Sequence, residues 1–570
     1  MKFISLLLIL MPSLALAQSD HVITSHELTL MPSYLQQRQA ATFPGFTDPP
    51  SSPVRASAEW EEIDMLVITW TSFPAILTQI VAAAQNETKV LIVCSDSNAV
   101  KSTLTMANVP LLNVDYLIAP FNSIWCRDYG QWNVYTNDVD SLALIDWIYN
   151  RPRPKDDTVP FAVQGYSGLP IYHTTTPPYD LVHTGGNFMC DGFGTGFSSN
   201  LILTDNPGKQ SADIDTIMKK FMGIERYIKM NTLPYDQIHH IDMHMKLLDE
   251  ETLLVGEYPA GIADGPQIEA NLQFVLSNFN SVFGTPYKII RMPMPPDGMG
   301  NFPGVGDYRT YTNSVFVNKT LIVPVYNAGA DSTALRIYRE ALPGYHVVGI
   351  DCNSIIPSLG AIHCITKEVA SSDPLLISHQ ALHDTYNTTT PYSVMARIQH
   401  RSGISQAWVH FRTDTLQPWQ AIPMNNSSGY NWLANIPAQA AESEVYYYIE
   451  AQSASGKMQV RPITSPAGWW KFNVLLNTGL TDHAEDRVIL QAVFPNPSHG
   501  ITCIPVDLDK KTHVKLVLKN VLGETNELIY DGMQVGEHKY FVNTSSMSPG
   551  VYVIELQTDQ GRQSQTIIVH

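Results

Sequence analysis

The sequence predicts a chain of three folded parts: an α/β domain over about residues 55–372, a β-sandwich over 373–478, and a second β-sandwich over 479–570. Three observations lead there. Short apolar strands alternate with helix-like stretches as far as residue 372. From about residue 388, strand-like runs follow one another at short intervals, with Ser-, Gly- and Asn-rich turns between them. The length of 570 residues suits three or four units of roughly 150 residues.

Taken in order, residues 1–17 read as a secretory signal peptide. Lys2 is its basic start, Phe3 to Leu10 its apolar stretch, and Ala15-Leu16-Ala17 its small-x-small cleavage site. The mature chain is expected to begin near Gln18. Residues 18–54 form an N-terminal arm or propeptide, rich in Ser, Gln and Pro, closing at Pro49-Pro50. In the α/β block the expected strands are Met65–Trp70, Val90–Cys94, Asp115–Ala119, Leu142–Ile148 and Leu321–Val325. The expected helices include Ser211–Phe221 and Gln267–Phe283. The later runs Val394–Gln399, Trp408–Arg412, Val445–Ala451 and Trp469–Val474 have the spacing of an immunoglobulin-like sandwich. The run Tyr446-Tyr447-Tyr448 is expected to be a packed strand rather than a ligand platform.

Composition narrows the function. The net charge is −18, which argues against nucleic-acid or anionic-membrane binding and favours a cationic substrate. Aromatic residues make up 10% of the chain, which excludes a disordered protein. After the signal, no stretch approaches the roughly 20 apolar residues of a membrane span. The six cysteines, Cys94, Cys126, Cys190, Cys352, Cys364 and Cys503, show no CxxC pair, so neither a disulfide framework nor a zinc site is signalled.

Four polar clusters interrupt the apolar strands of the α/β block. They are Trp125-Cys126-Arg127-Asp128-Tyr129, His183-Thr184-Gly185-Gly186-Asn187, His240-Ile241-Asp242 and Gly360-Ala361-Ile362-His363-Cys364. Each is expected at or just beyond a strand end, where α/β folds place ligand groups. On a strand His240 and Asp242 would share one face, whereas His363 and Cys364 would point opposite ways. His240 is therefore the expected partner of the Cys364 thiol. A zinc pair formed by His240 and His244 would require a helix there and is disfavoured. One thiol, one imidazole and the carboxylates of Asp128 and Asp242 suit a guanidinium. That group is planar and rich in N–H donors, and its central carbon is open to a thiolate.

In their order, the Arg-Asp, Thr-Gly-Gly-Asn, His-x-Asp and Ile-His-Cys motifs resemble those of the guanidine-modifying enzymes. The similarity is to the branch holding agmatine deiminases and Porphyromonas-type peptidylarginine deiminases. The resemblance implies a pentein fold, a five-bladed α/β propeller, with Cys364 as nucleophile, His240 as acid and base, and Asp128 and Asp242 gripping the guanidinium. Tyr311-Thr312-Asn313-Ser314 matches the family stretch whose Asn lines the site, so Asn313 joins the catalytic group. Tyr149-Asn150-Arg151-Pro152-Arg153-Pro154 matches the peptidylarginine branch. Arg151 and Arg153 would bind the carboxylate of a C-terminal arginine. Trp125 would pack against the guanidinium or its aliphatic stem. No metal or other cofactor is required in this scheme. The approach Ser358-Leu359-Gly360-Ala361 is less glycine-rich than in agmatine deiminases, which touches substrate preference.

Residues 479–570, with Phe494-Pro495-Asn496-Pro497 near their start and Ser548-Pro549-Gly550-Val551-Tyr552-Val553 near their end, resemble the C-terminal sorting domain of type IX secretion cargo. That implies the type IX secretion machinery as a partner, and a protein secreted or held on the outer membrane surface. The expected activity is conversion of peptidyl-arginine, preferably C-terminal, to citrulline with release of ammonia. A small-molecule deiminase acting on agmatine or free arginine is the alternative. A cysteine protease or an inactive binding protein would be told apart by chain cleavage without ammonia, or by indifference to Cys364→Ala.

Overall fold

The computed structural model describes residues 21–476, 488–494, 496–498, 500–545, 547–558 and 561–569. The expected signal peptide, the start near Gln18 and the junction at 479 lie outside the described residues.

The α/β domain is built from five small sheets that share one topology. In each, two antiparallel strands are followed by a helix and then by a strand parallel to the second. Ile63–Thr69 pairs antiparallel with Lys367–Ala370 and parallel with Lys89–Cys94, with the helix Pro74–Ala84 between. Thr195–Ser199 pairs with Met189–Cys190 and Arg226–Met230 around Ser211–Met222. Thr252–Glu257 pairs with Met245–Leu247 and Lys288–Pro293 around Gly265–Asn278. Thr320–Val325 pairs with Val315–Val317 and His346–Asp351 around Asp331–Ala341. The remaining sheet centres on Leu142–Tyr149, with Trp132–Thr136 on one side and Ile171–Thr174 on the other. The strand nearest the domain's end, Lys367–Ala370, lies beside one of its first, so the domain closes on itself.

Local sequence sets these elements. Ser211–Met222 buries Ile214, Ile217, Met218 and Phe221, a spacing that puts them on one helical face. The helix stops at Gly223, whose φ of +69° suits glycine; a Cβ there would meet the Val54 carbonyl oxygen at 1.9 Å. The central strands are buried on both faces, as their continuous Val, Ile and Leu runs require. The expected strands agree with these to within about two residues; the expected helix Gln267–Phe283 is Gly265–Asn278.

The N-terminal arm is more ordered than its composition implied. It carries a 16-residue helix, Ser25–Ala40, whose capping box joins Thr24 and Glu27. Near the end of the helix Arg38 is buried between Asp146, at 2.8 Å, and Asp157, with its guanidinium 3.9 Å over the Phe43 ring. Tyr34 donates to Asp157 at 2.6 Å.

Residues 376–473 form two antiparallel sheets over a shared core. Val394, Ala396 and Ile398 of one face Val409, Phe411, Tyr447 and Ile449 of the other. Tyr447 is buried and Tyr446 half-buried, so the tyrosine run is a strand in a wall. The last unit, expected as a second β-sandwich, is over its described residues one antiparallel sheet, because its chain runs in the long strands Ile501–Asn520 and Thr525–Asn543 rather than in many short ones.

Candidate active site

All four polar clusters fall in single helical turns between strands. They are Cys126–Tyr129, Gly185–Asn187, Ile241–Met243 and His363–Ile365. This corrects the expectation that His240 and Asp242 share the face of a strand. A 3₁₀ turn rotates about 120° per residue, so positions two apart diverge. His240 sits just ahead of its turn and faces Asp128 and Thr184, with Nδ1 3.6 Å from Asp128 Oδ1 and Nε2 3.3 Å from Thr184 Oγ1. Asp242 faces His363 and Cys364, with Oδ2 2.7 Å from His363 Nδ1 and 3.7 Å from the Cys364 sulfur. The two residues thus line the pocket from different sides. A single 3₁₀ turn, not an α-helix, follows His240, so His244 is not set one α-helical turn from it as a zinc pair would need.

Cys364 is fully buried. Asn313 donates from Nδ2 to its sulfur at 3.2 Å and accepts on Oδ1 from the His363 amide at 3.0 Å. One amide thus fixes the turn and offers a donor to the thiol. Burial pushes the Cys364 thiol well up, and the nearby carboxylates of Asp242 and Asp128 push it further. Burial holds His240 down to about 4 despite the opposing pull of Asp128. For Asp128 burial works upward, but the His240 and His21 imidazoles outweigh it and hold the carboxyl well below its usual range. Asp128 stays ionised, Cys364 keeps its proton and His240 is neutral. His240 Nδ1 and Asp242 Oδ1 are buried with no hydrogen-bond partner among the described residues. Such atoms are expensive unless a ligand meets them.

Several participants were not marked by the sequence reading. Glu59 accepts from His363 Nε2 at 2.8 Å and from Lys246 at 2.6 Å, so it backs the imidazole that in turn braces Asp242. Its neighbours in Ala58-Glu59-Trp60-Glu61 gave no signal. Arg127, beside Asp128, turns away from the pocket into a two-pronged pair with Glu368 at 3.1 and 2.7 Å. Gly186 was marked only as part of the Thr-Gly-Gly-Asn motif; its amide donates to Asp128 Oδ1 at 3.3 Å, and a Cβ there would lie 2.4 Å from His240 Nδ1. Gly186→Ala is therefore expected to lower kcat/KM by roughly 100-fold by displacing the imidazole about an ångström. The melting temperature should hold; an unchanged rate would show that the imidazole position is not critical.

Arg151 and Arg153 are buried, not solvated. Arg151 donates from Nε and Nη2 to the His21 carbonyl, both at 3.3 Å, and Arg153 donates to Glu27 at 2.9 Å. His21 itself occupies the pocket, stacked on Trp125 with centroids 3.8 Å apart and planes 5° from parallel. His21, Asp128 and His240 are, among the described residues, the set that could hold a metal ion, with ligand atoms within 4.8 Å of one another. Yet His21 Nε2 and Asp128 Oδ2 are in direct contact at 2.6 Å. Zinc bonds of about 2.0 Å would hold such atoms roughly 3.3 Å apart.

Residues 55–369 match the family model described as Porphyromonas-type peptidyl-arginine deiminase. The protein is thus a deiminase, a hydrolase acting on the C–N bonds of guanidino groups. It belongs to the Porphyromonas-type peptidyl-arginine deiminase family. A relative from Vibrio parahaemolyticus, provisionally named an agmatine deiminase, is 27% identical over 284 residues, covering 44% of this chain and 76% of its own. One from Marinomonas, named likewise, is 22% identical and covers 57% and 96%. Among solved structures, an agmatine deiminase of Enterococcus faecalis is 20% identical with a TM-score of 0.50, over 57% of this chain and 99% of its own. A provisionally named arginine deiminase from Porphyromonas gingivalis is also 20% identical with a TM-score of 0.50, over 56% and 99%. These share the deiminase fold. Residues 492–570 match the secretion system C-terminal sorting domain. No helix among the described residues is long and apolar enough to cross a membrane.

Proposed function

We propose that the protein is an exported peptidylarginine deiminase that prefers a C-terminal arginine. The observation that carries this is the pair Arg151 and Arg153 at the pocket. Arg151 grips the backbone carbonyl of the residue whose ring fills the pocket, and Arg153 holds a carboxylate close by. A substrate arginine entering the same way would bring its main-chain carboxylate to Arg151. Agmatine has no such group. The agmatine-directed names of the relatives support the alternative of a small guanidino substrate. Ammonia release from a peptide ending in arginine, measured beside agmatine and beside the same peptide amidated, tests the preference. Equal rates on all three would end it.

In the mechanism we infer, Asp128 and Asp242 bind the guanidinium, with Trp125 against its face. The bound cation offsets the two carboxylates that hold the Cys364 proton in place, and that proton passes to His240. The thiolate attacks the guanidinium carbon. His240 returns the same proton to the departing nitrogen, which leaves as ammonia from a covalent thiouronium. Water, deprotonated by His240, then displaces the sulfur and leaves citrulline. Asn313 steadies the sulfur throughout.

This ordering has a pH consequence. Alkylation of Cys364 by neutral iodoacetamide should still be accelerating above the ordinary thiol value of roughly 8.5. The cationic reagent 2-chloroacetamidine, which brings its own charge to the carboxylates, should level off at lower pH. Coincident profiles would rule out activation by the bound cation.

We read the five sheets, with their repeated topology and closure, as the five blades of a propeller, and the two-sheet unit as immunoglobulin-like. The sorting domain supports export by the type IX machinery, with residues 1–17 as signal peptide and the protein secreted or on the cell surface.

A further inference from the structure

We propose that the active-site cleft is a peptide-binding site whose resident ligand is the chain's own segment from His21 to Glu27, an intramolecular substrate mimic that must leave before substrate enters. The proposal rests on the reading of this pocket as the guanidinium site.

The mimicry is chemical as well as spatial. His21 Nε2 lies 2.6 Å from a carboxylate oxygen of Asp128, and Nδ1 lies 2.9 Å from the carbonyl oxygen of Leu359. Both partners are acceptors, so the ring turns its N–H edge toward a carboxylate and a carbonyl. His21 is thus a flat ring with N–H chemistry on its edge, set where a guanidinium would present the same. It lies face to face with Trp125, in the geometry that suits a planar cation on an indole. The edge of His240 meets it with centroids 5.5 Å apart. His21, Trp125 and Asp128 are at most 1% exposed, so a guanidinium cannot share the pocket with the His21 ring.

The segment also meets the residues expected to read the substrate's main chain. Its carbonyl at residue 21 takes Arg151, and the Glu27 carboxylate takes Arg153 at 2.9 Å. The helix Ser25–Ala40 then tethers it through Tyr34 and Arg38 to Asp157 and Asp146. A tethered ligand competes at an effective concentration set by its short tether, so modest contacts suffice to hold the cleft shut. The anchors lie at the far end of the helix. The His21 end can therefore be changed without disturbing them.

The test is calorimetric titration of the full-length chain, carrying Cys364→Ala to prevent turnover, with agmatine and with a peptide ending in arginine. Adding His21→Gly should tighten binding of at least one of them by 10-fold or more. Glu27→Gln, which loosens the segment without emptying the pocket, should tighten it by a few-fold. Melting temperatures of the three proteins should agree closely. If neither substitution tightens either ligand, including the case in which nothing binds, the substrate-mimic role is overturned and His21 is merely a packed residue of the N-terminal arm. Ammonia release by the same chains with Cys364 restored reports separately. Tight binding without ammonia would refute the deiminase mechanism while leaving the plug in place.

Discussion

Cys364→Ala is expected to abolish ammonia release, by roughly 10⁵-fold or more, while leaving the melting temperature almost unchanged. The size follows from the role: without the sulfur no covalent intermediate forms, and the remaining groups can only bind and polarise. The small structural effect follows from the surroundings. Asn313 keeps its backbone contacts to His363 and to residue 364 whatever the side chain there, because its Oδ1 accepts from both amides. Guanidinium binding should survive, since Asp128 and Asp242 are untouched. A variant that still released ammonia at more than about a thousandth of the parent rate would point to direct attack by water. A variant that lost binding as well as turnover would mean that the thiol is part of the packing.

Arg151→Ala should divide the substrates. Each charge-assisted hydrogen bond to a carboxylate contributes about 1.5–3 kcal/mol, so losing the pair, about 3–6 kcal/mol, should lower kcat/KM on a C-terminal arginine by roughly 100-fold at least. Agmatine has nothing to lose there. Moreover, Arg151 also holds the His21 carbonyl, so its removal weakens the resident segment. Agmatine turnover is therefore expected to stay level or rise while peptide turnover falls. Opposite signs in one protein are hard to obtain from general destabilisation. Parallel losses on both substrates would show that Arg151 supports the fold and not the ligand.

The strands and long helices were legible because apolar periodicity is a local signal. Ser211–Met222 announces itself through Ile214, Ile217, Met218 and Phe221. The chemistry-bearing residues were legible as clusters, since buried polar groups stand out in runs of Val and Ile. Their local geometry was not. His240-Ile241-Asp242 reads equally well as strand or turn, and only packing against Thr184 and Cys364 selects the turn. Glu59 was invisible because its partners, Lys246 and His363, lie 187 and 304 residues away. His21 was hidden for the same reason. Nothing near it in the chain marks it, and its whole meaning comes from Trp125 and Asp128, more than a hundred residues on.

The docking of the two-sheet unit onto the α/β domain sets where the enzyme can be divided. Arg461 reaches back to Glu250 at 2.9 Å, Lys457 to Glu62 at 2.8 Å, Arg397 to Asp138 at 2.7 Å, and Gln380 to Glu251 at 3.0 Å. Glu250 is buried, and burial alone already disfavours its charge. A fragment ending at residue 372 would remove Arg461 from Glu250 and bare the surface that the two-sheet unit covers, together with the unpaired Glu62, Asp138 and Glu251. The smallest piece worth expressing therefore extends through Leu476, and the sandwich behaves as a buttress of the catalytic half rather than a passenger.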